Sequence, residues 1–279
     1  MRKGLVLERR IEDSYKILQE IIKGMEGVVI AFSGGVDSSL ILKISHDILK
    51  DKAVAVTAKS PTYPEHELIM AKEFASCCGI RHIIIDSNEL EISGFNKNDT
   101  RRCYYCKKEL FARLRDAANE MGIEYIADGT NMDDSRDYRP GMDAARELGV
   151  RSPLKEAGID KEGVRHISKA IGLANWDKPS FACLSSRFPY GTEITYKRLD
   201  KINKAENIIR GEGFRQYRVR YHGETAKIEV SPDEISRILK EDIRNKIIKG
   251  FKEIGFIYIT IDLEGYRQGS LNEGGIQEA

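Results

Sequence analysis

A chain of 279 residues is longer than one hydrophobic core usually organises, which predicts two domains. With 41% hydrophobic and 32% charged residues it fits a globular protein, and no apolar run is long enough for a membrane span. The 45 basic and 44 acidic residues leave a formal charge of +1, which argues against broad phosphate-backbone binding but not against one local basic pocket.

The first segment mixes acids and bases over an amphipathic period across 8–24, which predicts a helix. It has no apolar centre of the signal-peptide kind, so a cytoplasmic location is expected. "GVVIAF" (27–32) is a short β-branched run and predicts a buried strand. A glycine turn and then "DSSLILKISHDILK" predict a helix. "AVAVTA" (53–58) predicts a second strand, and "PEHELIMAKEFASCCG" a helix entered at Pro64 and stopped at Gly79. "RHIIID" (81–86) reads as a third strand, 104–121 as a helix and "EYIADG" (124–129) as a fourth strand. Strands alternating with helices imply right-handed crossovers and a parallel sheet with both faces covered, ligands binding at the carboxyl ends of its strands. Residues 130–192 read as loop-rich. After them come a helix (195–213), strands "FRQYRVRY" and "TAKIEV", helices over 232–254 and a strand "GFIYITI". The expectation is therefore an α/β domain over 1–192 and a small α+β domain over 193–279.

The five cysteines argue against a disulfide framework in a chain of this kind. Cys77 and Cys78 end an apolar helical pattern and are expected to be packing residues. Cys103 and Cys106, in "RRCYYCKKELF", are compatible with a redox pair, half of a zinc site or part of an iron–sulfur site. The five histidines show no spacing that completes a zinc site. Cys183 lies in "KPSFACLSSRFPYG" with Arg187 four residues on, and a cation there is expected to favour the thiolate.

"AFSGGVDSS" (31–39) turns from the first strand into a helix. Gly34 and Gly35 allow close backbone approach, the helix start favours an anion, and Ser33, Ser38 and Ser39 add hydroxyl donors. No Gly-Lys-Ser/Thr follows and no Gly-x-Gly-x-x-Gly is present, so neither the Walker A loop nor the dinucleotide fingerprint applies. In "YRVRYHGE" (217–224), Arg218 and Arg220 share a strand face, and two guanidinium groups together fit a phosphate.

The motif at 33–38 resembles the PP-loop of the N-type ATP pyrophosphatases, which cleave ATP to AMP and pyrophosphate. The resemblance implies a doubly wound, HUP-like domain in which Ser33, Gly34, Gly35, Asp37 and Ser38 cradle the pyrophosphate part, with Asp37 near Mg2+. "TAKS", with Ser60, resembles the adenine and ribose segment, and "DGTN", with Gly129 and Thr130, a second nucleotide loop. Together "SGGVDSS", "RRCYYCK", "ADGTN", "CLSSRFPYG" and "LEGYRQGSLNE" resemble the LarE-type sulfur transferases of nickel-pincer nucleotide synthesis over nearly the whole chain. That resemblance implies adenylation of a carboxylate of a pyridinium-biscarboxylic acid mononucleotide, then its conversion to a thiocarboxylate. In one branch Cys183 would give up its own sulfur. In the other, which this sequence resembles, Cys103, Cys106 and Cys183 would hold a 4Fe-4S cluster. Arg218 and Arg220 would lie near an anion site, joined by Arg267, with Glu193 and Glu229 in the same cleft. The expected partners are a small nucleotide substrate, an unidentified sulfur donor and further copies of the chain, with no nucleic acid or membrane. A tRNA thiolation enzyme, which also combines a PP-loop with three cysteines, is the alternative.

Overall fold

The computed structural model describes residues 2–92, 94–136, 140–267 and 269–270. Residues 137–139, within the loop-rich stretch, and 268 and 271–273, within "LEGYRQGSLNE", lie outside the described residues. The chain forms two compact units, one of Met1–Glu89 with Cys103–Phe181, the other of Leu90–Arg102 with Ala182–Ala279. The second unit thus takes in residues 182–192, ahead of the boundary expected at 193, together with a segment from the first half of the sequence. Hydrogen bonds account for this. Asn98 Nδ2 donates to the carbonyls of Pro189 and Thr192 at 2.7 and 3.0 Å.

In the first unit, α1 (Arg2–Lys23) precedes β1 (Val28–Ala31), α2 (Val36–Leu49), β2 (Ala53–Lys59), α3 (Glu65–Cys77) and β3 (His82–Asp86). Then come α4 (Arg102–Glu120), whose first residue belongs to the second unit, and β4 (Tyr125–Ala127). The strands lie in the order β3-β2-β1-β4, and every pairing is parallel. Successive side chains on a strand point to opposite faces. Val28 and Ile30 accordingly enter one core with Leu18, Ile22, Leu40 and Ile41, while Val29 enters the other with Val54, Phe111, Leu114 and Ile126. A strand buried on both faces has to be apolar throughout, which is why "VVIA" shows no alternation.

The stretch read as loop-rich holds three helices, α5 (Gly141–Glu147), α6 (Pro153–Glu156) and α7 (Lys161–Ala170). Their polar composition hid short amphipathic stripes such as Val164 and Ile167, both buried on the α2 side of the sheet. Asp160 is the N-cap of α7 and accepts from Gly163 N at 2.8 Å.

In the second unit, α8 (Tyr196–Gly211) is capped by Thr195. β5 (Tyr217–His222) and β6 (Thr225–Val230) form an antiparallel hairpin, and α9 (Ile235–Ile238) and α10 (Glu241–Ile254) follow. β7 (Tyr258–Ile261) pairs parallel to β6. α10 ends on Gly255 at φ 96°, the left-handed stop that glycine takes without steric cost. Among the described residues no helix is long and apolar enough to cross a membrane.

The Asp160 carboxyl is held below its ordinary 3.8; burial pushes it up, but the Gly163 N–H and the Arg10 guanidinium outweigh burial. Asp160→Ala is expected to cost about 1 kcal/mol at pH 7, the usual worth of an N-cap. The carboxylate's contribution is fully present above pH 3.8 and is lost as pH falls through the lower folded-state value. Urea melts of both proteins from pH 7 to pH 3 should therefore converge at the acid end.

Candidate active site

The turn between β1 and α2 closes on itself. Ser33 N donates to Ser38 Oγ at 3.3 Å, the two serine hydroxyls lie 3.2 Å apart, and Ser38 Oγ donates to Gly35 O at 3.1 Å. Gly34 sits at φ 66°, and an added Cβ would come within 3.2 Å of Ala71 Cβ, so both the dihedral and the packing require glycine here. The loops after the neighbouring strands lean on this turn. Ser60, after β2, pairs with Thr62 at 3.0 Å, and Tyr63 Oη donates to Ser33 O at 2.9 Å. After β4, Asp128 accepts from Thr130 N and Thr130 Oγ1, while Gly129 lies flat against the turn. A Cβ on Gly129 would be 3.0 Å from Ser38 N. Ser33, Gly34, Gly35, Asp37, Ser38, Ser60, Gly129 and Thr130 thus share the carboxyl edge of one sheet.

Two lysines that sequence reading missed reach the same turn. Lys161, at the start of α7, places Nζ 2.5 Å from Asp37 Oδ2, and Asn131 Nδ2 donates to Asp37 Oδ1 at 3.0 Å. Lys178 Nζ donates to Gly34 O at 3.1 Å and to Glu67 Oε2 at 2.6 Å. Asn175 Nδ2 donates to Ser39 Oγ at 2.8 Å. An anion entering the turn therefore meets the amides of the α2 start with two ammonium groups alongside. Mg2+ fits this setting. Asp37 is the carboxylate on the turn itself, held by Lys161 and Asn131, and magnesium typically takes one or two carboxylates and completes its shell with phosphates and water.

The five cysteines form no disulfide. Cys103 and Cys106 stand three residues apart in the first turn of α4, hence on one helix face, the former exposed and the latter half-buried. Cys106 Sγ is 4.0 Å from Oε1 of Glu89, a buried carboxyl whose pKa burial pushes up while the Ser60 and Thr62 hydroxyls oppose the rise. Cys77 is exposed, contrary to its expected packing role; Cys78 packs against the core, and burial raises its pKa. The donor chemistry of Cys103, Cys106 and Cys183 suits an iron–sulfur cluster. Among the described residues no three Cys, His, Asp or Glu side chains gather as a metal-binding group.

In the second unit, half-buried Cys183 is the N-cap of a short 3-10 helix, Leu184–Arg187. Arg187 is the cation expected to favour that thiolate. It is fully buried and binds Glu206 through Nε and Nη2 at 2.7 and 2.9 Å. Its Nη1 donates to the carbonyls of Ala182 and Cys183. Arg218 and Arg220 are both buried. Arg220 forks onto Glu229 at 2.9 and 2.9 Å, with Nη1 on Ser186 O and Nη2 also on Ser270 Oγ. Arg218 lies over the Tyr266 ring at 5.0 Å. Burial, with Arg187 and Arg220 nearby, brings its pKa down to about 10. Arg267 pairs with Asp262 and Glu264, and Glu193 with Arg198.

The sequence matches the NAD synthase family over residues 10–126, the stretch that contains the β1–α2 turn. Over 253 residues it is 36% identical to the pyridinium-3,5-bisthiocarboxylic acid mononucleotide synthase of Lactiplantibacillus plantarum, covering 90% of this chain and 91% of that one. The chain belongs to the LarE-type PP-loop sulfurtransferases. It is an ATP-dependent sulfurtransferase with an α/β fold. It is also 43% identical to the uncharacterized protein slr1717 of Synechocystis sp., over 96% of this chain and 98% of that one. The tRNA-specific 2-thiouridylase MnmA of Rickettsia conorii is 26% identical over 54% of this chain and 51% of its own. In this LarE-type chain, Lys161, Lys178 and Asn175 carried no local signal, and the positions they meet, 37, 34 and 39, are far away in sequence.

Gly129→Ala tests the contact between the two loops. The new methyl meets backbone at 3.0 Å, so the PP-loop has to shift. Overpacking of this kind costs about 1–3 kcal/mol. Calorimetric titration should show weakened ATP binding, and a melt should show the stability loss.

Proposed function

We propose that this enzyme adenylates a carboxylate of a pyridinium-biscarboxylic acid mononucleotide and then exchanges the adenylate for sulfur, in the synthesis of a nickel-pincer nucleotide. The observation that carries this reading is the near full-length match to the bisthiocarboxylic acid mononucleotide synthase, joined to a PP-loop flanked by two lysines. A carboxylate is a poor electrophile and AMP is a good leaving group. The first step is attack of the substrate carboxylate oxygen on the α-phosphorus, which releases pyrophosphate. Ser33, Gly34, Gly35 and Ser38 hold the departing pyrophosphate through amides and hydroxyls. Lys161 and Lys178 neutralise its charge, and Asp37 would hold magnesium, which would add positive charge beside the polyphosphate. Ser60, Gly129 and Thr130 border the nucleoside. Residues 193–279 serve the mononucleotide, with Arg218 toward its phosphate, and also self-association. The cytoplasmic location, the self-association and the absence of a nucleic-acid partner rest on the family resemblance.

In the second step a sulfur nucleophile attacks the acyl carbon and AMP leaves. Cys103, Cys106 and Cys183 would hold a 4Fe-4S cluster, which when bound would supply that sulfur. In the second reading, Cys183 gives up its own sulfur. Protein purified without oxygen, incubated with ATP, Mg2+ and the mononucleotide, should release pyrophosphate and yield a product heavier by one sulfur-for-oxygen exchange. Without that product the reading falls. Iron and sulfide content, with the intact mass of the protein after one turnover, separates the two sulfur sources.

Asp37→Ala should abolish pyrophosphate release with little change in melting, because a carboxylate at a phosphate turn is useful only when it faces a cation. Arg218→Ala should weaken the mononucleotide far more than ATP, measured by calorimetry for each ligand. Arg220→Ala is the poorer probe, because it leaves buried Glu229 with Lys227 at 3.5 Å in place of its forked partner, a loss of up to about 3–5 kcal/mol.

A further inference from the structure

Four of the five carbonyls from Ala182 to Ser186 accept from buried arginines. Arg187 takes those of 182 and 183, Arg102 that of 185 at 2.8 Å, and Arg220 that of 186 at 2.7 Å. Arg187 and Arg220 each fork onto a buried glutamate, but Arg102 does not. Arg102 is 3% exposed, and its partners are Ser185 O, Asn98 Oδ1 at 2.5 Å and the Tyr190 ring at 5.8 Å. Asn98 is wholly buried and sits at φ 56°, a backbone state that asparagine tolerates better than most residues. Its Nδ2 reaches the carbonyls of Phe188, Pro189 and Thr192, and its own carbonyl accepts from Gly191 N at 2.9 Å. Two residues from a distant stretch of sequence thus hold carbonyls along 185–192. A buried guanidinium without a carboxylate is a costly way to fill space, and an apolar side chain would do that better. What it adds is fixed direction at a carbonyl two residues from Cys183.

We propose that Asn98 and Arg102 are positioning residues for sulfur transfer, holding the Cys183 turn by its carbonyls. The proposal rests on the reading of Cys183 as a sulfur-handling residue. The peptide bond after Arg102 leads straight to Cys103, so the residue that holds one cysteine turn also borders the Cys103–Cys106 pair in the chain.

The test uses full-length, metal-free, reduced protein. Iodoacetamide labelling of Cys183 is followed by peptide mass spectrometry in wild type, Arg102→Met, Arg102→Lys and Asn98→Gly. The glycine keeps the positive φ and loses the side chain. Arg101→Met, exposed and next in sequence, is the control. Losing a charged hydrogen bond to the turn should raise the Cys183 labelling rate about tenfold in Arg102→Met and Asn98→Gly, less in Arg102→Lys, and not in the control. Pyrophosphate release should stay at the wild-type rate while thiocarboxylate formation falls about 100-fold, the scale of a small misplacement of a reacting group. A loss equal in both half-reactions would indicate general damage and overturn the proposal, as would wild-type labelling in Asn98→Gly and Arg102→Lys. If Arg102→Met does not fold, those two variants decide. If wild type forms no thiocarboxylate, the functional reading falls while the labelling rates still test the positioning.

Discussion

All four strands of the first unit's sheet run the same way, so the loops after them open at one edge, and the chemistry of that unit depends on this alignment. Parallel pairing sets Ala31 beside Val56 and Ile30 beside both Ala55 and Ala127, so the chain leaves β1, β2 and β4 at nearly the same height. From there the Ser33–Ser38 turn, Ser60 and Gly129 have no choice but to be neighbours. The turn itself then needs only short-range rules, a glycine at positive φ, two serines that satisfy each other and a helix whose first amides are free. Thr57 ties the layers just beneath, donating to Phe32 O at 2.6 Å with His82 2.8 Å from its hydroxyl.

The sequence announced this half well because its signals are local. Apolar runs of four to seven residues, glycines after strands and Pro64 before α3 each act within a few positions. The helices at 141–147, 153–156 and 161–170 were missed because each is short and bears only a narrow apolar stripe, with no long period to detect. Lys161 and Lys178 could not be read at all. A lysine after an aspartate, or one before a proline, looks like any solvated cation until the fold brings it 124 or 144 residues back along the chain.

The second unit depends on a different kind of order. Its buried cations and anions, Arg187 with Glu206 and Arg220 with Glu229, occupy positions that a strand pattern assigns to a face but not to a partner. Reading Arg218 and Arg220 as a matched pair was correct about the face and incomplete about Glu229, which sits opposite Arg218 in register yet binds Arg220. Segment 90–102 is the clearest limit. Nothing in its composition says that it packs with residues 182–194, and Asn98 at positive φ signals only that the backbone turns there.

The ammonium of Lys161 on Asp37 bears on how the site fills. A carboxylate already neutralised by a fixed cation is a weak magnet for a bare metal ion, which would have to evict its neighbour for no gain in charge balance. Delivered on a polyphosphate, the same ion brings oxygens that can take over the displaced ammonium. That ion pair would favour a metal arriving with the nucleotide over a bare ion.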